Sequence, residues 1–162
     1  MRLSRDTMLM MQAYILTGRS TCDRARVGCV IAKGGRVLAA GYNGSTPASP
    51  HCDEYGHRMV NGHCIRTVHS EVNAIANAAR NGVAIEGSTL YCTHRPCKIC
   101  IKQILCAGIS RIVYSQEYDT DDGIDSVYIA MIERASAMIE RIEFTIHDLS
   151  FINSLVDQWQ SS

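Results

Sequence analysis

The feature that most limits what this chain can fold into is a pair of short metal-type motifs separated by one strand-like segment. The first is His69-Ser70-Glu71 and the second is Pro96-Cys97-Lys98-Ile99-Cys100. One imidazole and two thiolates are a donor set of a catalytic zinc, which takes three protein ligands and leaves its fourth position to water. The fold must therefore bring the two segments to one point. Both read as helix starts. From His69 to Arg80, Ala74, Ile75, Ala78 and Ala79 recur on one face before Asn81-Gly82 closes the run, and Pro96 opens a second helix through about Cys106, closed by Gly108. The positive end of a helix dipole and its free N–H groups stabilise thiolates such as Cys97 and Cys100. Glu71 lies two residues beyond His69, so it projects toward the same ion without ligating it and is the expected catalytic proton carrier. A closed structural site is the alternative, but it wants four ligands and has no use for an adjacent acid.

Around these motifs the chain alternates strands and helices. Residues 6–17 place Met8, Leu9, Met11 and Ile15 near a helical face, with Asp6 as the expected N-cap and Gly18 as the stop. Runs 27–32 and 36–42 around Lys33-Gly34-Gly35 read as a hairpin, and 89–93 and 111–114 as further strands. Residues 124–134 read as a helix, 139–146 as a strand and the tail 148–162 as a helix with no assigned role. Such alternation argues for an α/β sandwich with helices on a central sheet, in a single domain spanning 1–162.

Equal totals of 16 Lys plus Arg and 16 Asp plus Glu leave no net field for a long nucleic acid or an anionic membrane. The apolar run near the N-terminus is shorter than the ~20 residues of a spanning helix and is broken by Gln12, and no small-residue cleavage site follows it. The expectation is a cytoplasmic protein whose 8 cysteines serve metal or core rather than disulfides. Cys29, Cys92 and Cys106 fall in apolar strand or helix patterns and are assigned to the core.

Residues 43–68 have no period and exceed the ~15 residues that a loop usually reaches without a function or a staple. Cys22, Cys52, His57 and His63 are the expected ligands of a second, structural zinc there, with Cys64 the main competitor for a place and His51 a weaker one. A mobile loop with solvated histidines and free thiols is the alternative.

These motifs together resemble the deoxycytidylate deaminases of bacteria and phages, within the cytidine deaminase superfamily. The likeness runs from about Ser20 to Asp119 and rests on Ser20-Thr21-Cys22, Val27-Gly28, Gly41-Tyr42-Asn43-Gly44-Ser45, His63-Cys64-Ile65-Arg66-Thr67, His69-Ser70-Glu71-Val72-Asn73-Ala74-Ile75, Thr93-His94-Arg95-Pro96-Cys97 and Ala107-Gly108-Ile109. The H-x-E…P-C-x-x-C pattern marks zinc deaminases generally, and the Gly-Tyr-Asn-Gly segment with the Cys-rich loop points to the nucleotide branch. The resemblance implies a three-layer α/β/α sandwich on a five-stranded mixed sheet that converts dCMP to dUMP and ammonia. A zinc site brings bound water to a pKa near 7, and Glu71 carries the proton to the ring and to the leaving amine. It also implies a homohexamer, activation by dCTP with Mg²⁺ and inhibition by dTTP. By that likeness Asn43 hydrogen-bonds the sugar or phosphate and the Ser70 backbone reads the pyrimidine edge. Arg26 and Tyr118 are candidates near a phosphate, and Gly44 and Arg80 for an effector or subunit contact. Asn43 has a plainer reading as a turn residue, Arg26 as a solvated charge, Tyr118 as packing. Two residues depart from the family pattern: Ser70 stands where Ala is usual, and Arg95 precedes Pro96. The rival readings are a zinc deaminase of free cytidine, of a pterin or riboflavin precursor or of tRNA adenine, and a zinc-stabilised binding module.

Overall fold

In the computed structural model residues 2–60, 62–118 and 125–160 are described. The chain starts with α1 (Arg5–Leu16), capped by Ser4, whose hydroxyl accepts the Thr7 N–H at 3.0 Å. Asp6, expected as the cap, lies inside the first turn. There its carboxylate is free to reach across to the sheet. β1 (Gly28–Lys33) and β2 (Arg36–Tyr42) form the expected hairpin, with Gly34 and Gly35 at φ 60° and 79°, the left-handed pair that a two-residue turn requires.

Residues 43–68, expected as irregular, hold short elements instead: β3 (Gly44–Ser45), α2 (Cys52–Tyr55), β4 (Met59–Val60), β5 (His63–Cys64) and β6 (Thr67–Val68). β4 pairs with β5, and β3 with β6, so the segment is two small antiparallel ladders outside the main sheet. Then follow α3 (Ser70–Arg80), β7 (Thr89–His94), α4 (Lys98–Cys106), β8 (Arg111–Gln116), α5 (Ser126–Arg134), β9 (Met138–Arg141) and α6 (Ile146–Gln160).

The central sheet has the order β2-β1-β7-β8-β9, antiparallel through β1 and parallel from β7 to β9. This is the five-stranded mixed sheet the resemblance implies. Period-two alternation gives it two buried faces. Cys29, Ile31, Leu90, Cys92 and Ile112 face α3, α4 and α5, where Ala74, Ala78, Ile101, Ile104, Tyr128 and Ile132 meet them. Val30, Ala32, Tyr91 and Val113 face the other way onto Leu9, Met10 and Ala13 of α1. Three layers result.

Several boundaries shift for local reasons. Cys97 has extended backbone (φ −72°, ψ 168°) and caps α4, so Pro96 lies before the helix and not in its first turn. The strand expected to reach residue 146 stops at Arg141, because Asp148 accepts from the Thr145 N–H at 2.8 Å and turns the chain into α6. The tail is thus helical from Ile146. The expected helix start at 124 and the tail's end at 161–162 lie outside the described residues. Cys29 and Cys92 are in the core, whereas Cys106, at the last position of α4, is exposed: Cys100, Ile101 and Ile104 occupy the inward face.

Two contacts set the helices on the sheet. At Gly41 of β2 a Cβ would stand 2.5 Å from Ala74 N and from Ser70 O, so only glycine lets the first turns of α3 come this close. Gly41→Ala should therefore lower stability by about 1–3 kcal/mol, as overpacking does, read from urea denaturation, and lower activity with it. On the opposite face Asp6 accepts from Arg111 Nη2 at 2.7 Å and from the Tyr91 hydroxyl at 2.6 Å, tying α1 to β7 and β8. The Arg111 hydrogen bond, partly opposed by burial, holds the Asp6 carboxyl below its ordinary range. Its stabilisation is complete above the unfolded-state pKa of ~3.9 and is lost as pH falls through the lower folded value. Asp6→Asn should cost about 1 kcal/mol at pH 7 for this partly exposed pair. The gap to wild type should narrow in melts as pH is lowered below ~3.9, and a gap independent of pH would contradict this account.

Candidate metal centre and cleft

α3 and α4 pack side by side on one face of the sheet, and their N-termini meet. His69 caps α3 with extended backbone (ψ 151°) and Cys97 caps α4 in the same way. From Cys97 the first turn of α4 brings Cys100 round to the same side. His69 Nδ1 lies 3.6 Å from Cys97 Sγ and 3.3 Å from Cys100 Sγ. A tetrahedral zinc with N and S bonds of ordinary length would separate those atoms by roughly 3.5 Å. The donor set fits the metal in chemistry and in spacing. Electrostatics agree: the Cys100 side chain foremost, then His69 and the Cys100 N–H, holds the Cys97 thiol down to about 3, against burial. The same contact with Cys97, reinforced by burial, pushes Cys100 up. The three side chains share protons where a cation would replace them.

Glu71 follows on the first turn of α3, 4% exposed. Burial pushes its carboxyl up, opposed by its own backbone N–H, by His69 and by the Ser70 hydroxyl, which donates to Oε2 at 2.9 Å. It lines a cleft of about 290 Å³ together with His69, Ser70 and Cys97. A carboxyl inclined to hold a proton thus stands beside a three-donor metal group at the bottom of an open cleft.

The cleft walls come from both expected and unexpected residues. Asn43 lines it, but most of its amide is spent on the fold: Oδ1 accepts from Val27 N at 2.8 Å and Ser20 Oγ at 2.7 Å, and Nδ2 donates to Ala25 O at 2.7 Å. Tyr118 lines it too, edge-on to His94 with centroids 6.3 Å apart. Arg26 does not: its guanidinium turns back to the Ser20 carbonyl at 3.3 Å. The cationic side chains of the wall are Arg24 and Arg95. Arg95 donates to Glu117 Oε2 at 2.8 Å and to the Tyr118 carbonyl at 3.0 Å, which fixes the segment that carries Tyr118. Gly44 and Arg80 lie away from the cleft, Gly44 paired with Val68 and Arg80 exposed at the end of α3.

A second donor group stands beside the first. Cys22, Cys52, His57 and Cys64 place one donor atom each within 4.8 Å of the others. Cys22 Sγ is 3.7 Å from His57 Nδ1 and Cys52 Sγ is 3.5 Å from Cys64 Sγ. These spacings again suit a tetrahedral zinc. Asp23 Oδ1 lies 3.0 Å from His57 Nε2, so Nδ1 is left to face the thiols, the carboxylate–histidine arrangement usual behind a ligand. Burial pushes the Cys64 thiol up, but the N–H groups of Arg66 and Arg58 and the His57 ring bring it down to about 6. His63, expected as the fourth ligand, is not in this group. It is Cys64's neighbour on β5, successive strand residues point to opposite sides, and His63 faces the cleft instead. His51 caps α2 and also stays outside.

A family model described as the cytidine and deoxycytidylate deaminase zinc-binding region matches residues 3–116. The chain belongs to this family. Among its relatives are ComE operon protein 2 of Bacillus subtilis (strain 168), 38% identical over 142 residues that cover 88% of this chain and 73% of that one, and the deoxycytidylate deaminase of Saccharomyces cerevisiae, 37% identical over 154 residues covering 90% and 47%. The crystal structure of dCMP deaminase from the cyanophage S-TIM5 in complex with dCMP and dUMP superposes with a TM-score of 0.72 at 29% identity, over 88% of this chain and 99% of that one. In this member of the cytidine and deoxycytidylate deaminase family, Arg24, His94 and Arg95 are wall residues that motif reading gave no role, and His63, expected as a metal ligand, is a fourth. Arg95 was singled out only as a charge before Pro96. Among the described residues no helix is long and apolar enough to cross a membrane.

Proposed function

We propose that this chain hydrolyses dCMP to dUMP and ammonia in the cleft at the N-terminal ends of α3 and α4. The observation that carries the reading is the buried Glu71 beside the three converging donors of His69, Cys97 and Cys100. When bound there, zinc supplies a water acidified to a pKa near 7, hence a nucleophile at neutral pH. Glu71 takes one proton from the water and passes it to the ring nitrogen, then takes the second from the hydroxyl added at the amine-bearing carbon and passes it to the departing amine, a task suited to a carboxyl that burial inclines to protonation. The Ser70 backbone reads the pyrimidine edge, Asn43 offers its remaining amide hydrogen to the sugar or phosphate, and Tyr118 and His94 close the side. In place of Arg26, Arg24 is the cation available to a phosphate at the cleft mouth. The deoxycytidylate deaminases among the relatives and the dCMP complex of the cyanophage enzyme support the substrate.

A second zinc held by Cys22, Cys52, His57 and Cys64 belongs to the same proposal, stapling residues 43–68 within one domain. So do a cytoplasmic location, a homohexamer, activation by dCTP with Mg²⁺ and inhibition by dTTP, with Gly44 and Arg80 as effector or interface candidates.

Ammonia release from dCMP by the zinc-loaded protein, with dCTP and Mg²⁺ present, tests the substrate. Glu71→Gln should cut turnover at least 10²-fold, the usual contribution of a positioned acid–base group, while bound zinc is unchanged. A folded, zinc-loaded protein inert toward dCMP but active on cytidine would overturn the nucleotide reading, and one inert toward every cytosine substrate would overturn the enzyme. Metal analysis separates the two candidates for the fourth structural ligand: Cys64→Ser should lose about one zinc per chain and His63→Ala none.

A further inference from the structure

Ser70 is the first residue of α3 and is wholly buried between that helix and the sheet. A hydroxyl left unpaired there would be destabilising, a cost that an alanine would avoid. A serine hydroxyl has a single proton to give. Here it goes to Glu71 Oε2 at 2.9 Å, while Cys92 Sγ stands 3.7 Å from the same Oγ. With the Ser70 proton committed, the Cys92 thiol is the donor toward Ser70. Cys92 in turn lies opposite Cys29 across the β1–β7 pair, and burial keeps the Cys29 thiol protonated. The donors thus run in one direction from the core, through Cys92 and Ser70, to the carboxylate.

We propose that the Ser70 hydroxyl is a positioning group, which fixes the plane of the Glu71 carboxylate by holding Oε2 on the sheet side. The terminal torsion of a glutamate is broad and nearly two-fold, so a carboxylate anchored at one oxygen is restricted where a free one is not. Glu71 must serve a proton in more than one place during the proposed deamination, and a misplacement of ~1 Å in a catalytic group can cost 10²-fold in rate. The inference rests on that reaction for its consequence but not for its geometry.

The test compares zinc-loaded wild type, Ser70→Ala and Ser70→Thr. With dCMP, Ser70→Ala should lose about tenfold in kcat, part of that misplacement cost, with KM within twofold and zinc content and Tm retained. Ser70→Thr, which restores the hydroxyl, should recover most of the loss. Crystal structures of wild type and Ser70→Ala give a readout independent of turnover: the carboxylate should rotate out of its wild-type plane when the hydroxyl is gone. If wild type releases no ammonia from dCMP, the substrate reading fails, and the two structures still decide the positioning claim. An unmoved carboxylate in Ser70→Ala, or a kcat equal to wild type in an active enzyme, overturns it. A fall in Tm alone would assign Ser70 to packing and overturn it as well.

Discussion

Everything at this site depends on two helix N-termini meeting on one face of a sheet. A helix start offers unpaired N–H groups and the positive end of its dipole, and here two such starts, capped by His69 and Cys97, converge. That convergence brings the imidazole and both thiols within 4.8 Å of one another. It also places Glu71, in the first turn of α3, beside them. The requirement passes to the sheet. α3 sits low enough only because β2 has no side chain at Gly41, and α4 reaches its place as the connection between the parallel strands β7 and β8. The mixed sheet is thus what the donor geometry requires.

Much of this was legible in sequence because the informative spacings are local to one helix turn. His69 with Glu71, and Cys97 with Cys100, keep their relation wherever the helices go, so the three donors and the acid could be named before their meeting was visible. The order of strands and helices was legible for a similar reason, since periods of 2 and 3.6 differ over a few residues. What escaped depended on parity or on tertiary approach. His63 and Cys64 are adjacent, both are good ligands, and only the pairing of Cys64 with Met59 decides which side of β5 faces the other cysteines. Arg24 and Arg26 lie in a turn and loop before β1, where no period places either, and the cleft has the former. Cys106 looked apolar by context, but the inward face of α4 was already taken by Cys100, Ile101 and Ile104.

The walls of the cleft are built by side chains whose polar groups are mostly engaged with each other. Asn43 braces Ser20, Ala25 and Val27, and Arg95 holds Glu117 and the Tyr118 carbonyl. The wall is stiff at these two places, because Asn43 and Arg95 are each also a strut of the backbone behind them. Such residues resist a division into structural and functional roles, and substitution at either would move several neighbours at once.

The hairpin β4–β5 shows how a segment without a core of its own can still present a defined surface. Met59, Val60 and Ile65 are 45%, 46% and 54% exposed, so apolar burial contributes little to holding it. Its anchorage comes instead from Cys64 meeting Cys52, and from His57 meeting Cys22 with Asp23 behind it. Because alternate residues of a strand face opposite ways, the anchor at Cys64 also determines the direction of His63, which lines the same cleft as Glu71. The four-donor group and the three-donor group are therefore joined through one wall. Whatever loosens the anchor, such as oxidation of its closely spaced thiols, must also displace a side of the cleft.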